Sequence, residues 1–293
     1  MNYITKNLLY EKAFLIAPSG FINKNNLILA EKRLKVIKFQ KIYYRKDILS
    51  HYLEYAGYYK RRAEEINEAY SSSADVIFAV IGGMGAIHTL PFLDYELINN
   101  SNKTLVGSSD VTILLNTIHQ RTNARCIHGP NIGKNISLSK KSMISLINVL
   151  NKKSFIVNIN EKDIFKFGNA EGIIVGGNLE LLGRSLGTEF EINTDNKILF
   201  LEEYDMKSWR VFDILWQLKL AGKFDKVKGI ILGYFTKCGN DISKYLIEFF
   251  KEFSYPLIIN QPIGHSEPNL AIPVGEYCLI NAQDKYWKIE CKK

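Results

Sequence analysis

The stretch Leu105-Val-Gly-Ser-Ser-Asp-Val-Thr-Ile-Leu-Leu115 joins an apolar run to a helical pattern through a Gly-Ser-Ser-Asp corner. A short apolar run that stops at such a corner and resumes with helical spacing reads as a strand followed at once by a helix. A sharp strand-to-helix turn holds a side chain clear of the backbone. Ser109 therefore sits where a hydroxyl can attack, and the first amides of the helix point to where an oxyanion would form. The same residue types also cap helices whether or not chemistry follows, so the segment alone leaves both readings open.

Outward from this corner, the first half alternates apolar runs with helical patterns, which predicts a mostly parallel sheet flanked by helices. Ala13 to Ala17 reads as a strand ending in Pro18-Ser19-Gly20, and Asn26 to Val36 and Lys60 to Tyr70 as helices. Val76 to Ile81 is a buried strand stopped by Gly82 and Gly83; Leu105 to Gly107, the helix Val111 to His119 and the strand Cys126 to His128 follow. Ser137 to Phe155, amphipathic from Met143 to Leu150, leads out of the first domain. The expected division is 1–155 and 156–293.

The second domain is expected to be a smaller, mixed α/β unit. Its strands are Phe155 to Ile159, Ile173 to Val175, Lys197 to Leu201, Gly229 to Leu232, Pro256 to Ile259, Glu276 to Ile280 and Tyr286 to Glu290. Gly176-Gly177 is read as a turn into a helix from Asn178 to Leu186; further helices span Trp209 to Leu220 and Ile242 to Phe253.

Composition narrows the function. Of 293 residues, 46% are hydrophobic and 23% charged, an ordinary globular balance. The formal charge of +8 is spread over Lys32, Arg33, Lys35, Lys38 and Lys41, Lys60 to Arg62, Lys140 with Lys141, and Lys292 with Lys293. These read as solvated helix faces and chain ends, and no zinc-finger spacing or aromatic RNA-binding signature supports a nucleic-acid partner. Cys126, Cys238, Cys278 and Cys291 form no CxxC pair, which argues against a zinc site or a disulfide framework. Met1 to Gly20 carries Lys6, Glu11 and Lys12 and no leader-like apolar core, and nothing reads as a membrane span, so a cytoplasmic protein is expected.

Further segments stand in a telling order. Ala17-Pro-Ser-Gly20, Val80-Ile-Gly-Gly-Met-Gly-Ala86, Leu90-Pro-Phe-Leu-Asp-Tyr95 and the serine corner come first. His128-Gly-Pro130, Gly176-Gly-Asn-Leu179, Phe200-Leu-Glu-Glu203, Gly264-His-Ser-Glu-Pro-Asn269 and Pro273-Val-Gly275 follow. Each is weak alone; as an ordered set they resemble the serine LD-carboxypeptidase family, which includes the microcin C self-immunity peptidases.

The resemblance implies a nucleophile Ser109, a base His265 and an orienting acid Glu202, the three parts that serine acyl transfer requires. Glu202 follows a strand, where parallel sheets place their sites, and Glu203 would face the other way if the strand continued. Without the family, both acids read as partners of Lys197 or Arg210. The implied oxyanion donors are the amides of Asp110 and, by family position, Gly83. A phosphate cradle at Gly82–Gly85 is disfavoured, because the Gly-Lys-Ser/Thr ending and the GxGxxG spacing are absent. Arg210 is a candidate for the substrate's terminal carboxylate and equally for an internal ion pair. His51, His88, His119 and His128 read as structural or exposed.

The chain departs from the family pattern at three places. Ile81 stands where many members carry arginine, Met84 where an aromatic is frequent, and Ser108 where a bulkier residue precedes the nucleophile. Ile81, apolar in that place, looks more like the microcin-immunity branch, and Met84 is a substrate-contact candidate; the short chain shows no obvious room for that branch's extra loop. The implied activity is release of D-alanine from a murein tetrapeptide, without metal or cofactor, by a homodimer acting on a small peptide. The alternatives are cleavage of an aminoacyl-nucleotide amide of the microcin type, or a family member that binds peptides without turnover. An ordinary α/β-hydrolase ranks behind these, since Val111 occupies the last glycine of G-x-S-x-G.

Overall fold

A computed structural model describes residues 9–134 and 138–291. Lys6, Ser137, Lys292 and Lys293, named above, lie outside the described residues. The first half builds β1 (Lys12–Ile16), β2 (Lys41–Tyr43), β3 (Val76–Ala79), β4 (Thr104–Gly107) and β5 (Arg125–His128), all parallel. Its helices are α1 (Lys24–Val36), α2 (Tyr59–Ser71), α3 (Tyr95–Asn100), α4 (Thr112–Arg121) and α5 (Lys140–Leu150). The second half builds β6 (Phe155–Asn158), β7 (Ile164–Lys166), β8 (Asn169–Asn178), β9 (Ile198–Tyr204), β10 (Gly229–Thr236) and β11 (Leu257–Ile258). Then come β12 (Ile272–Val274), β13 (Tyr277–Asn281) and β14 (Tyr286–Glu290), with helices α6 (Leu179–Ser185), α7 (Ser208–Leu220) and α8 (Ile242–Phe250).

The first sheet has the order β12-β5-β4-β3-β1-β2 and the second β6-β14-β13-β8-β9-β10-β11-β7. In the first, continuous apolar runs mark strands buried on both faces. Alternation along β1 sends Ala13 and Leu15 into a core with α1 and α5, and Phe14 and Ile16 into a core with α2 and α4. This second core continues through Leu114, Leu115 and Ile118 to Ile174, Val175 and Leu179, so one apolar interior crosses between the sheets. Each such side chain contributes about 1.5–3 kcal/mol by burial. The ion pair Arg121–Glu189 across the same seam is largely exposed and contributes at most about 1 kcal/mol. Packing therefore holds the seam.

Three expectations need correction. Gly176 and Gly177 do not form a turn: they lie inside β8, opposite Phe200 and Leu201 of β9. The cause is a clamp from α4, where Asn116 Nδ2 donates to Gly176 O at 2.9 Å and Gly176 N to Asn116 Oδ1 at 3.1 Å. Glu202 does not follow a finished strand but lies within β9, paired with Asn178 of β8, and pairing with β10 carries the strand on to Tyr204. The strand of Val76 stops at Ala79 rather than Ile81. The short strands β2, β7 and β12, the helix α3 and the 3-10 turn Ala86–Phe92 were not anticipated. β12 pairs antiparallel with β5, so the chain returns late to its first sheet. Among the described residues no helix is long and apolar enough to cross a membrane, and the four cysteines are buried and unbonded.

Candidate active site

The carboxyl ends of β3, β4 and β5 face one edge of the first sheet, and the corner after β4 is strained. Ser108 is extended, whereas Ser109 takes φ +59, a left-handed conformation uncommon for a residue other than glycine. A short 3-10 turn, Ser109–Val111, then leads into α4. Ser108 and Asp110 are buried while Ser109 is partly exposed, so the corner presents one hydroxyl outward. The loop after β3 lies directly against it: a Cβ at Gly82 would come within 2.7 Å of Ser109 Cβ.

That loop is held from behind. Arg62 of α2, fully buried, donates from one guanidinium nitrogen to Pro18 O and Gly85 O, both at 2.8 Å. Ala86 N donates to the Asp110 carboxylate at 2.8 Å, coupling the loop to the corner. Gly83 has φ +121, Met84 is exposed beside it, and Ile81 packs on the core of the sheet.

From the second sheet, β9 presents Glu202 and Glu203 to opposite faces. His265 Nδ1 donates to Glu202 Oε2 at 2.7 Å, because a carboxylate can only accept. This leaves Nε2 of the imidazole free to take a proton. Tyr204 stacks on the ring at 4.8 Å and 24°. Burial by itself would raise the Glu202 carboxyl, yet the imidazoles of His265 and His128 outweigh it and hold the group at about 2. Burial likewise favours neutral His265, but the charge and hydrogen bond of Glu202 win and raise its pKa above the ordinary imidazole value.

Glu203 accepts from Asn178 Nδ2 at 2.8 Å and from Glu180 N at 2.9 Å. Burial and the charge of Glu202 push its carboxyl up to about 7. Arg210 pairs with Glu180 at 3.0 Å, so neither acid of β9 is its partner. Ser108, Asn131, Lys134, Gly264 and His265 line one small depression, so the residue before Ser109 and the imidazole share it, whereas Ser109 itself does not line it. A larger apolar groove between β10, β11 and α8 holds none of the candidate residues.

Sequence reasoning read His128 only as structural or exposed and passed over Tyr204 and Lys134. His128 is fully buried with Nε2 3.8 Å from Glu202 Oε1, and Lys134 lies 4.7 Å from the Tyr204 ring centre. The available signal for His128 was its place at the carboxyl end of a parallel strand. Among the described residues no group of three or more His, Cys, Asp or Glu side chains is arranged to hold a metal.

A strained serine, an anchored imidazole and a buried carboxylate are the parts of acyl-transfer chemistry. Residues 14–129 match the family described as LD-carboxypeptidase N-terminal domain, and residues 171–280 match LD-carboxypeptidase C-terminal domain. The chain belongs to the LD-carboxypeptidase family. It is therefore a peptidase of the serine type. It is similar to the "Probable murein peptide carboxypeptidase" of Bacillus subtilis, 30% identical over 255 residues, which covers 80% of this chain and 78% of that one. The "Murein tetrapeptide carboxypeptidase" of Pseudomonas aeruginosa is 27% identical over 293 residues, 93% of this chain and 94% of that one. Among solved structures, the microcin C7 self-immunity protein MccF in complex with glutamyl sulfamoyl guanosine superposes with a TM-score of 0.88 at 25% identity, over 97% of each chain.

Proposed function

We propose that this LD-carboxypeptidase releases the terminal D-alanine of murein tetrapeptides through Ser109, His265 and Glu202. The observation that carries the reading is the 2.7 Å bond between buried Glu202 and His265, whose imidazole lines one depression with Ser108, the neighbour of the left-handed Ser109. Ser109 Oγ attacks the scissile carbonyl while His265 Nε2 takes its proton. The amides of Gly83 and Asp110 receive the developing oxyanion. Collapse expels D-alanine, whose amine takes the proton back from His265, and water then hydrolyses the acyl-enzyme by the same path in reverse. None of these steps calls for a cofactor.

Met84 and Arg210 are the proposed substrate contacts, Arg210 exchanging Glu180 for the terminal carboxylate. We divide the chain into a nucleophile half, 1–155, and a half carrying Glu202 and His265, 156–293; the second sheet begins at Phe155. We further place the protein in the cytoplasm as a homodimer, the compartment being favoured by four unbonded cysteines. Incubation with the tetrapeptide should release D-alanine, and Ser109→Ala should reduce release to background; persistence in that variant removes Ser109 as nucleophile.

A second reading, cleavage of an aminoacyl-nucleotide amide, is favoured by apolar Ile81 and Met84 beside the oxyanion loop and by the likeness to MccF. Protection of toxin-sensitive cells, run beside the tetrapeptide assay, separates the two.

A further inference from the structure

His128 ends β5 beside Gly107 of β4, so it reaches the seam from the first sheet, whereas Glu202 reaches it from β9 of the second. Phe200 packs edge-on against the buried imidazole at 5.3 Å between centroids. Nε2 of His128 lies 3.8 Å from Glu202 Oε1, the oxygen His265 does not use. Among the described residues, neither ring nitrogen of His128 nor Oε1 of Glu202 has a hydrogen-bond partner. An ionised carboxylate oxygen buried without a donor is costly, and Nε2 is the donor facing it. A closing movement of about 1 Å brings the two to hydrogen-bond length. The other charges nearby lie elsewhere: Glu203 faces the far side of β9, bonded to Asn178, and Lys134 acts on His265.

We infer that His128 is a positioning residue, its Nε2–H fixing Oε1 of Glu202 from the first sheet while His265 Nδ1–H fixes Oε2 from the loop of the second. The inference rests on the triad proposed above. Held at both oxygens, the carboxylate cannot rotate out of the plane of the His265 ring, so the aim of the base depends on how the two sheets are seated on each other. Histidine is suited to the place because its Nε2 projects a donor from the end of a strand without adding a permanent charge to a buried seam.

The test begins with the wild-type protein. NMR of isotope-labelled histidine should show a proton on His128 Nε2 at neutral pH; a bare Nε2 overturns the inference without any variant. His128→Phe keeps a ring against Phe200 and removes the donor. It should lower kcat on the tetrapeptide about 10- to 100-fold with KM little changed and shift the low-field Nδ1 proton resonance of His265. His128→Gln, whose amide nitrogen reaches the place of Nε2, should restore most of both. A Phe variant with wild-type kcat and resonance sinks the inference. Turnover that survives Ser109→Ala sinks the nucleophile reading instead and leaves the His128 tautomer and the His265 resonance to decide this one.

Discussion

Gly264 stands so close to Glu202 that a methyl group at position 264 would come within 2.7 Å of Oε2 and 3.0 Å of Cβ. Its φ of +119 also lies where L side chains are strained. Gly264→Ala must therefore displace the carboxylate from the imidazole or tilt the loop carrying His265. A misplacement of about 1 Å costs about 100-fold in rate, and the loss should appear in kcat, measured by D-alanine release at saturating tetrapeptide.

The acid limb of kcat/KM should lie above the ordinary imidazole value of 6.5, because Glu202 raises the pKa of His265. The sign follows from the chemistry: only the neutral base accepts the serine proton, so activity rises with pH through the raised value. Glu202→Gln removes the charge that holds the proton, so the limb should move to lower pH while kcat falls about 10⁴-fold. A pH profile that leaves the limb in place would separate Glu202 from the base.

Arg62→Lys should loosen the Gly82–Gly85 loop, since a compact, strongly hydrated ammonium on a flexible stem is poorly held at the buried place from which one guanidinium nitrogen reaches both Pro18 O and Gly85 O. With the Gly83 amide less firmly aimed, kcat should fall about 10-fold or more while KM changes little. Steady-state kinetics beside a thermal melt distinguishes this from general unfolding, in which the melting temperature and the active fraction fall together.

Arg210→Ala tests the terminal carboxylate. If Arg210 leaves Glu180 for the substrate, KM should rise about 10-fold with kcat nearly unchanged, as expected for binding shared by ground and transition states. An unchanged KM assigns Arg210 to its ion pair with Glu180 alone.

The strands β1, β3, β4 and β5 were legible because a strand buried on both faces is an unbroken apolar run. The strands β2, β7 and β12 were not: each has only three residues, and neighbours rather than its own pattern decide it. Gly176-Gly177 misled because two glycines ordinarily mark a turn, whereas here Asn116 clamps Gly176 from another element and pairing with β9 takes in both. The opposite orientations of Glu202 and Glu203 followed from alternation alone. His128 was read only as structural or exposed for the converse reason. Its meaning lies in a contact between strands 74 positions apart in sequence, which local patterning does not report.

β12 covers the free edge of β5 with residues drawn from near the end of the chain. A fragment cut at residue 155 would keep the strained serine but bare that edge and the apolar face of α4, and such surfaces template aggregation. The division of chemical labour proposed for the halves does not make them modules. An evolutionary exchange of the base-bearing half would succeed only if the incoming piece brought its own strand to seal its host, which ties changes in substrate choice to remodelling of loops within an inherited pair.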